Sequence, residues 1–162
     1  QVGGRVRLQA LTDEPLPDEP FEWAGIAVDI KPVVQEMLDA CDRFADEVGD
    51  VEYRTAMRRF LSRAAAGGPK VFRRRASAVR GAAAVAWAVS QANDLFSAKY
   101  ILEWFGLKSG VSERAQPMLA AIGVDPMDQW YDHLSLGASD LLMSHRRADI
   151  IRHRDRALAG FG

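Results

Sequence analysis

Wound on a 3.6-residue helix, the stretch Gly81–Val89, GAAAVAWAV, is apolar almost all the way round. A helix with no face to offer water must be enclosed by others, so the chain has to build a bundle around one central rod. The alanines and Gly81 let neighbouring helices approach closely, and Trp87 supplies bulk. We place this helix near Ala76–Ala92. With 162 residues, one core is expected, not two.

The elements that enclose it are read from periodicity and punctuation. From Lys31 to Val48, Val33, Val34, Met37, Leu38, Cys41, Phe44, Ala45 and Val48 share one side, and Gln35, Glu36, Asp39, Asp42, Asp46 and Glu47 take the other. Pro32 suits the first turn. Cys41 falls on the buried stripe, which makes it a core thiol and not a nucleophile. A second helix runs from an Asp50 N-cap to about Ala66 and is stopped by Gly67–Pro69. It sets Tyr53, Ala56, Met57, Phe60, Leu61 and Ala64 against a row of Arg54, Arg58, Arg59 and Arg63, and the acidic side of the preceding helix is an available partner for that row. A short helix starts at Ser97 and stops at Gly106, and another follows Lys108. Asp125 and Pro126 open a further short one, PMDQWYDHL, and Ser144 caps the last, which extends to about Ala159. No segment alternates with period two. The expected fold is an all-α bundle of six or seven helices. Residues 1–20 form an extended acidic segment, 21–143 the helical core, and 144–162 a basic C-terminal helix, with Phe21 and Trp23 clamping the start of the core.

Charge is unevenly spread. Residues 1–66 hold eight Lys/Arg against thirteen Asp/Glu, and 67–162 hold thirteen against nine, so the parts carry −5 and +4. A polyanion would prefer the second part, where basic residues gather at KVFRRR, Lys70–Arg75, and at HRRADIIRHRDR, His145–Arg156. Catalytic signatures are missing: there is no GxSxG, no phosphate loop and no GxGxxG. His133, His145 and His153 have no metal-ligand spacing. Asp128 and Asp132, one turn apart, are ordinary for an exposed helix. No enzyme activity, cofactor or metal is expected. No run reaches the roughly 18 apolar residues of a membrane span. The opening residues lack the apolar stretch of a secretory signal, and one cysteine cannot form an internal disulfide, so the expected compartment is the reducing cytoplasm.

Two segments, GAAAVAWAVSQAN (Gly81–Asn93) and YILEWFGLKSGVSERA (Tyr100–Ala115), together resemble the second half of a cyclin-like repeat as found in transcription factor IIB. That repeat has an Ala-rich central helix followed by a helix-turn-helix. Taken more widely, from about Asp50 to Asp155, the chain resembles an uncharacterised bacterial family that couples such a core to a basic C-terminal segment. The resemblance implies a cyclin-like bundle and a nucleic-acid-binding or transcription-regulatory role, with no established activity.

The residues fit a helix-turn-helix in part. Gly106 suits the turn, Ile101, Leu102 and Phe105 supply apolar contacts on the first helix, and Val111, Ala115 and Met118 supply them on the second. Ser109, Ser112 and Gln116 are placed to reach base edges. Arg73, Arg74, Arg75, Lys108, Arg114, Arg146, Arg147, Arg152 and Arg154 are placed to reach phosphates. Three features depart from the pattern: the link is short, Leu102 stands where a small residue is usual, and Pro117 is expected to bend or break the second helix two turns in. The expected partner is duplex DNA or another nucleic acid. The alternative is a protein partner held in a cyclin-like groove, with no nucleic acid involved and TDEPLPDEP mimicking or masking a basic ligand.

Overall fold

The computed structural model describes residues 2–74, 77–125 and 134–160. These residues form eight α-helices and no strand: α1 (Arg5–Gln9), α2 (Lys31–Val48), α3 (Val51–Gly67), α4 (Pro69–Arg73), α5 (Ala78–Asn93), α6 (Ala98–Trp104), α7 (Val111–Ala121) and α8 (Ser144–Ala159). The count exceeds the six or seven expected. The extra helices are the five-residue turns α1 and α4, too short to show a periodicity. The expected helix within PMDQWYDHL lies outside the described residues, apart from Leu134.

α5 is the enclosed rod. Ala82 to Ala86, Ala88 and Val89 are buried, and α2, α3 and α7 pack along it, with α6 added near its C-terminal end. Close approach is built into the sequence: a Cβ on Gly81 would lie 2.7 Å from Met37 Cε of α2. The rod is also fixed by polar contacts. Tyr53 Oη of α3 donates to the Ala86 carbonyl at 2.8 Å and shares a second bond, also 2.8 Å, with Ser90 Oγ. Burial pushes the Tyr53 phenol's pKa well above its ordinary value. Cys41 is buried beside the Ala82 carbonyl, and burial raises its thiol likewise, which fits a core role.

Side-chain caps start three of these helices. Asp50 accepts from the Tyr53 N–H at 2.9 Å, Ser77 from the Arg80 N–H at 3.4 Å, and Ser97 from the Tyr100 N–H at 3.2 Å. α6 ends at Gly106, whose φ of +68° allows the Leu107 N–H to reach the Leu102 carbonyl at 2.8 Å and its own N–H to reach Glu103 at 3.2 Å.

Three expectations are corrected here. α7 runs unbroken through Pro117. The carbonyl left without its N–H partner belongs to Glu113, which is exposed and open to water, while Val111, Ala115, Met118 and Leu119 are buried on the packed side. Ser144 is the first residue of α8 and does not cap it; its hydroxyl donates to Glu52 Oε2 at 2.6 Å instead. Phe21 and Trp23 meet theirs: they pack edge-to-face at 4.6 Å and, half-buried, lie against the core. The acidic segment is extended only after α1, and it is docked: Leu11 and Leu16 are buried, and Asp18 and Glu19 pair with Arg54 and Arg59. The arginine row of α3 is thus shared between this segment, Asp42 and Asp46 of α2, and Asp140.

A close helix approach joins the last residue of α3 to the end of α7. A Cβ on Gly67 would sit 2.3 Å from the Ala121 carbonyl oxygen, a backbone atom that cannot swing aside. Gly67→Ala should therefore destabilise by about 1–3 kcal/mol in urea unfolding, although the same exchange in an open helix is favourable. A stabilised variant would show that the α3–α7 contact is looser than described.

Candidate nucleic-acid interface

Pro69 at the first position of α4 starts a helix that ends after one turn, and Arg74 leaves it in extended conformation. This brings the basic run next to the first turn of α7. Arg114 donates to the Val71 carbonyl at 3.2 Å. Burial, and then the charge of Arg74, pushes the Arg114 pKa below its ordinary value, so the two guanidiniums are close enough to repel. Arg114 Nε is buried with no hydrogen-bond partner among the described residues.

A second bond brings in α5. Arg80, on its first turn, donates to the Ser109 carbonyl at 3.0 Å, which ties the link between α6 and α7 to the start of the central rod. Lys108, next to this anchor, is exposed. One end of the bundle therefore gathers Arg74, Arg80, Lys108 and Arg114 from four different parts of the chain. Among the described residues none of the four forms an ion pair, whereas Arg73 beside them is held by Asp29 through bonds of 2.6 and 3.1 Å. The Arg73 hydrogen bond in turn holds the Asp29 carboxyl below its usual range.

Ser109, Ser112 and Gln116 lie at the same end. Ser109 is exposed; Ser112 and Gln116 are half-buried on α7, and the Ser112 hydroxyl donates to Glu113 at 3.2 Å. The exposed Glu113 carboxylate stands among them. The two helices do not form a tight hairpin: six residues, 105–110, link them, α6 packs mainly on α5, α7 packs on α5 and α3, and α6 and α7 touch each other only marginally. Arg75 lies outside the described residues.

The second basic cluster is elsewhere. α8 is anchored at the C-terminal end of α5, where Asn93 accepts from the Met143 N–H at 2.7 Å, donates to the Leu141 carbonyl at 3.2 Å, and bonds His145 through its own carbonyl at 2.7 Å. The first cluster and the anchor of α8 thus sit at opposite ends of the 16-residue α5, a rod about 24 Å long. On α8 the arginines are mostly engaged inside the protein. Arg147 is 7% exposed and donates to the carbonyls of Leu142, Thr12 and Glu14, with Glu52 Oε1 3.8 Å away. Burial opposes charge on Glu52, but bonds from Ser144 and Leu16 outweigh it and hold its pKa low. Arg154 donates to the carbonyls of Leu8 and Gln9 at 3.1 and 3.3 Å. Arg146 pairs with Asp94 at 3.2 Å, and the more exposed Arg152 with Asp149.

Sequence reasoning missed Arg80, Glu52 and Asn93. Arg80 had a signal, since it is the one charged residue in the sixteen of α5. Glu52 and Asn93 had none, because their partners are 36 to 92 residues away. Among the described residues no group of His, Cys, Asp or Glu is arranged to hold a metal, and no helix is long and apolar enough to cross a membrane. Comparison with known protein families, curated proteins and solved structures gave no match.

Removing the Arg147 side chain strands three carbonyls and takes a nearby positive charge from Glu52, so Arg147→Ala should cost about 2–4 kcal/mol in urea unfolding. Arg152→Ala should stay within about 0.5 kcal/mol. Equal effects would mean that the two arginines are not divided between interior and surface.

Proposed function

We propose that the protein is a non-enzymatic nucleic-acid-binding module of cyclin-like form, acting in regulation, whose contact surface is the end of the bundle bearing Arg74, Arg80, Lys108 and Arg114. The observation that carries this reading is the convergence of these four cations, from separate parts of the chain, without ion-pair partners among the described residues. Bringing like charges together, with one guanidinium partly desolvated, opposes folding, and an anion placed between them relieves that cost. The enclosed, alanine-rich α5 surrounded by four helices supports the cyclin-like assignment.

Binding is dominated by phosphates. The marginal contact between α6 and α7 leaves no rigid hairpin to fix a recognition helix in a groove, and Glu113 opposes close approach to the backbone. Ser112 and Gln116 on α7 and Ser109 on the link stand close enough to the basic end to add base-edge contacts once the phosphates are engaged. On α8, Arg147 and Arg154 bind the chain's own carbonyls and take no part.

Fluorescence anisotropy with a labelled duplex should show affinity falling steeply with salt. Arg74→Ala and Lys108→Ala should each weaken binding several-fold and reduce the log–log salt slope by about one, with Arg152→Ala unchanged. Absence of binding to any duplex or single strand at low salt would refute the reading.

A further inference from the structure

Among the described residues, Leu11–Glu22 makes no backbone–backbone hydrogen bond, yet it lies tightly along α3. Its carbonyls are taken by side chains. Thr55 Oγ1 donates to the Pro17 carbonyl at 2.7 Å, Arg58 to the Glu19 carbonyl at 2.6 Å, and Ser62 Oγ to the Glu22 carbonyl at 2.6 Å. These three donors stand at i, i+3 and i+7, one face of the helix. Pro15, Pro17 and Pro20 have no N–H to offer, so a surface that recognises this stretch must read carbonyls, as this face does. Charge is read as well. Arg54 binds Asp18 at 3.0 Å, and Arg59 grips Glu19 through bonds of 2.5 and 2.9 Å. Leu16 is the apolar anchor, with its N–H on Glu52 at 2.8 Å.

The geometry points to this face of α3 as a receptor groove for an extended, acidic, proline-interrupted peptide of another protein, occupied in this structure by the chain's own segment. Carbonyl reading at helical spacing combined with acid-reading arginines is the chemistry of extended-peptide recognition. A polyanion fits less well. When the segment leaves, Arg54 loses Asp18 but keeps Asp46, while Asp42 and Asp140 remain on Arg58 and Arg63, and only Arg59 is left with no described ion pair.

An outside peptide must compete with a tethered one, whose effective concentration is of order millimolar. The groove leaves room for such a competitor to make extra contacts. A cavity of about 450 Å³ remains beside Glu19 and Pro20, lined also by Arg58, Ser62 and Arg63. This site is separate from the basic end of the bundle, so its fate is independent of nucleic-acid binding.

The probe is a labelled synthetic peptide of residues 9–23, added to the full chain carrying Leu16→Ala and Glu19→Ala, which loosen the resident segment. The peptide should bind this variant at least tenfold more tightly than the unaltered chain. Adding Thr55→Val and Arg59→Ala should weaken that binding at least tenfold, and excess oligo-dT should not displace the peptide. No binding to the folded variant, or displacement by oligo-dT, overturns the proposal. Self-association of the unaltered chain that the peptide dissolves would assign the groove to a second copy and also overturn it. Should the loosened variant not fold, hydrogen exchange on the unaltered chain decides. The Leu16 amide should show protection at least a hundredfold below that of α5, and equal protection contradicts displacement.

Discussion

The fold depends on the need to keep water away from α5 on every side. A rod that buries Ala82 to Ala86, Ala88 and Val89 cannot exist on a surface, so α2, α3, α6 and α7 are arranged as its walls. Small side chains make those walls close, which raises the value of each contact and the cost of each misplaced atom. Gly81 under Met37 and Gly67 under the Ala121 carbonyl mark where closeness leaves no room for a Cβ. The two ends of the rod are then the places where polar groups from distant parts of the chain can meet. One end gathers cations without ion pairs among the described residues, and the other gathers hydrogen bonds that anchor α8.

Arginine plays three distinct roles in this chain, and what separates them is the acceptor each one finds. Along α3 the partners are carboxylates from α2, the acidic segment and Asp140, giving a surface lattice whose pairs are individually weak. On α8 the partners of Arg147 and Arg154 are backbone carbonyls of the N-terminal segment, so two cations serve as clamps for chain more than 130 residues away. At the opposite end Arg80 and Arg114 each make one bond to a carbonyl and form no ion pair among the described residues. The same clamp geometry fixes the candidate interface in place.

Much of the scaffold was legible in the sequence because its signals are local. The Lys31–Val48 helix has the bounds its apolar period implies, and Asp50 and Ser97 cap the helices that follow them. Pro117 was misread because the rule concerns the hydrogen bond lost, and here that bond falls on the solvent side of a helix held by its other face. Ser144 was misread because Glu52, far away in sequence, offers its hydroxyl a stronger acceptor. Of the residues named for the site, Arg74, Lys108 and Arg114 lie at one end of the bundle, although only Arg74 belongs to a basic cluster in the sequence. Arg146, Arg147, Arg152 and Arg154 look equally basic on paper; long-range acceptors engage Arg146, Arg147 and Arg154, while Arg152 pairs locally with Asp149.

The central claim is that one end of the bundle, and not α8, meets nucleic acid. It is tested most directly by two-dimensional amide NMR of the chain titrated with a short duplex at low salt. The account predicts shifts confined to Arg74, Arg80 and Lys108–Arg114, with residues 144–156 unmoved. Shifts centred on α8, or no shift anywhere at saturating duplex, would contradict it.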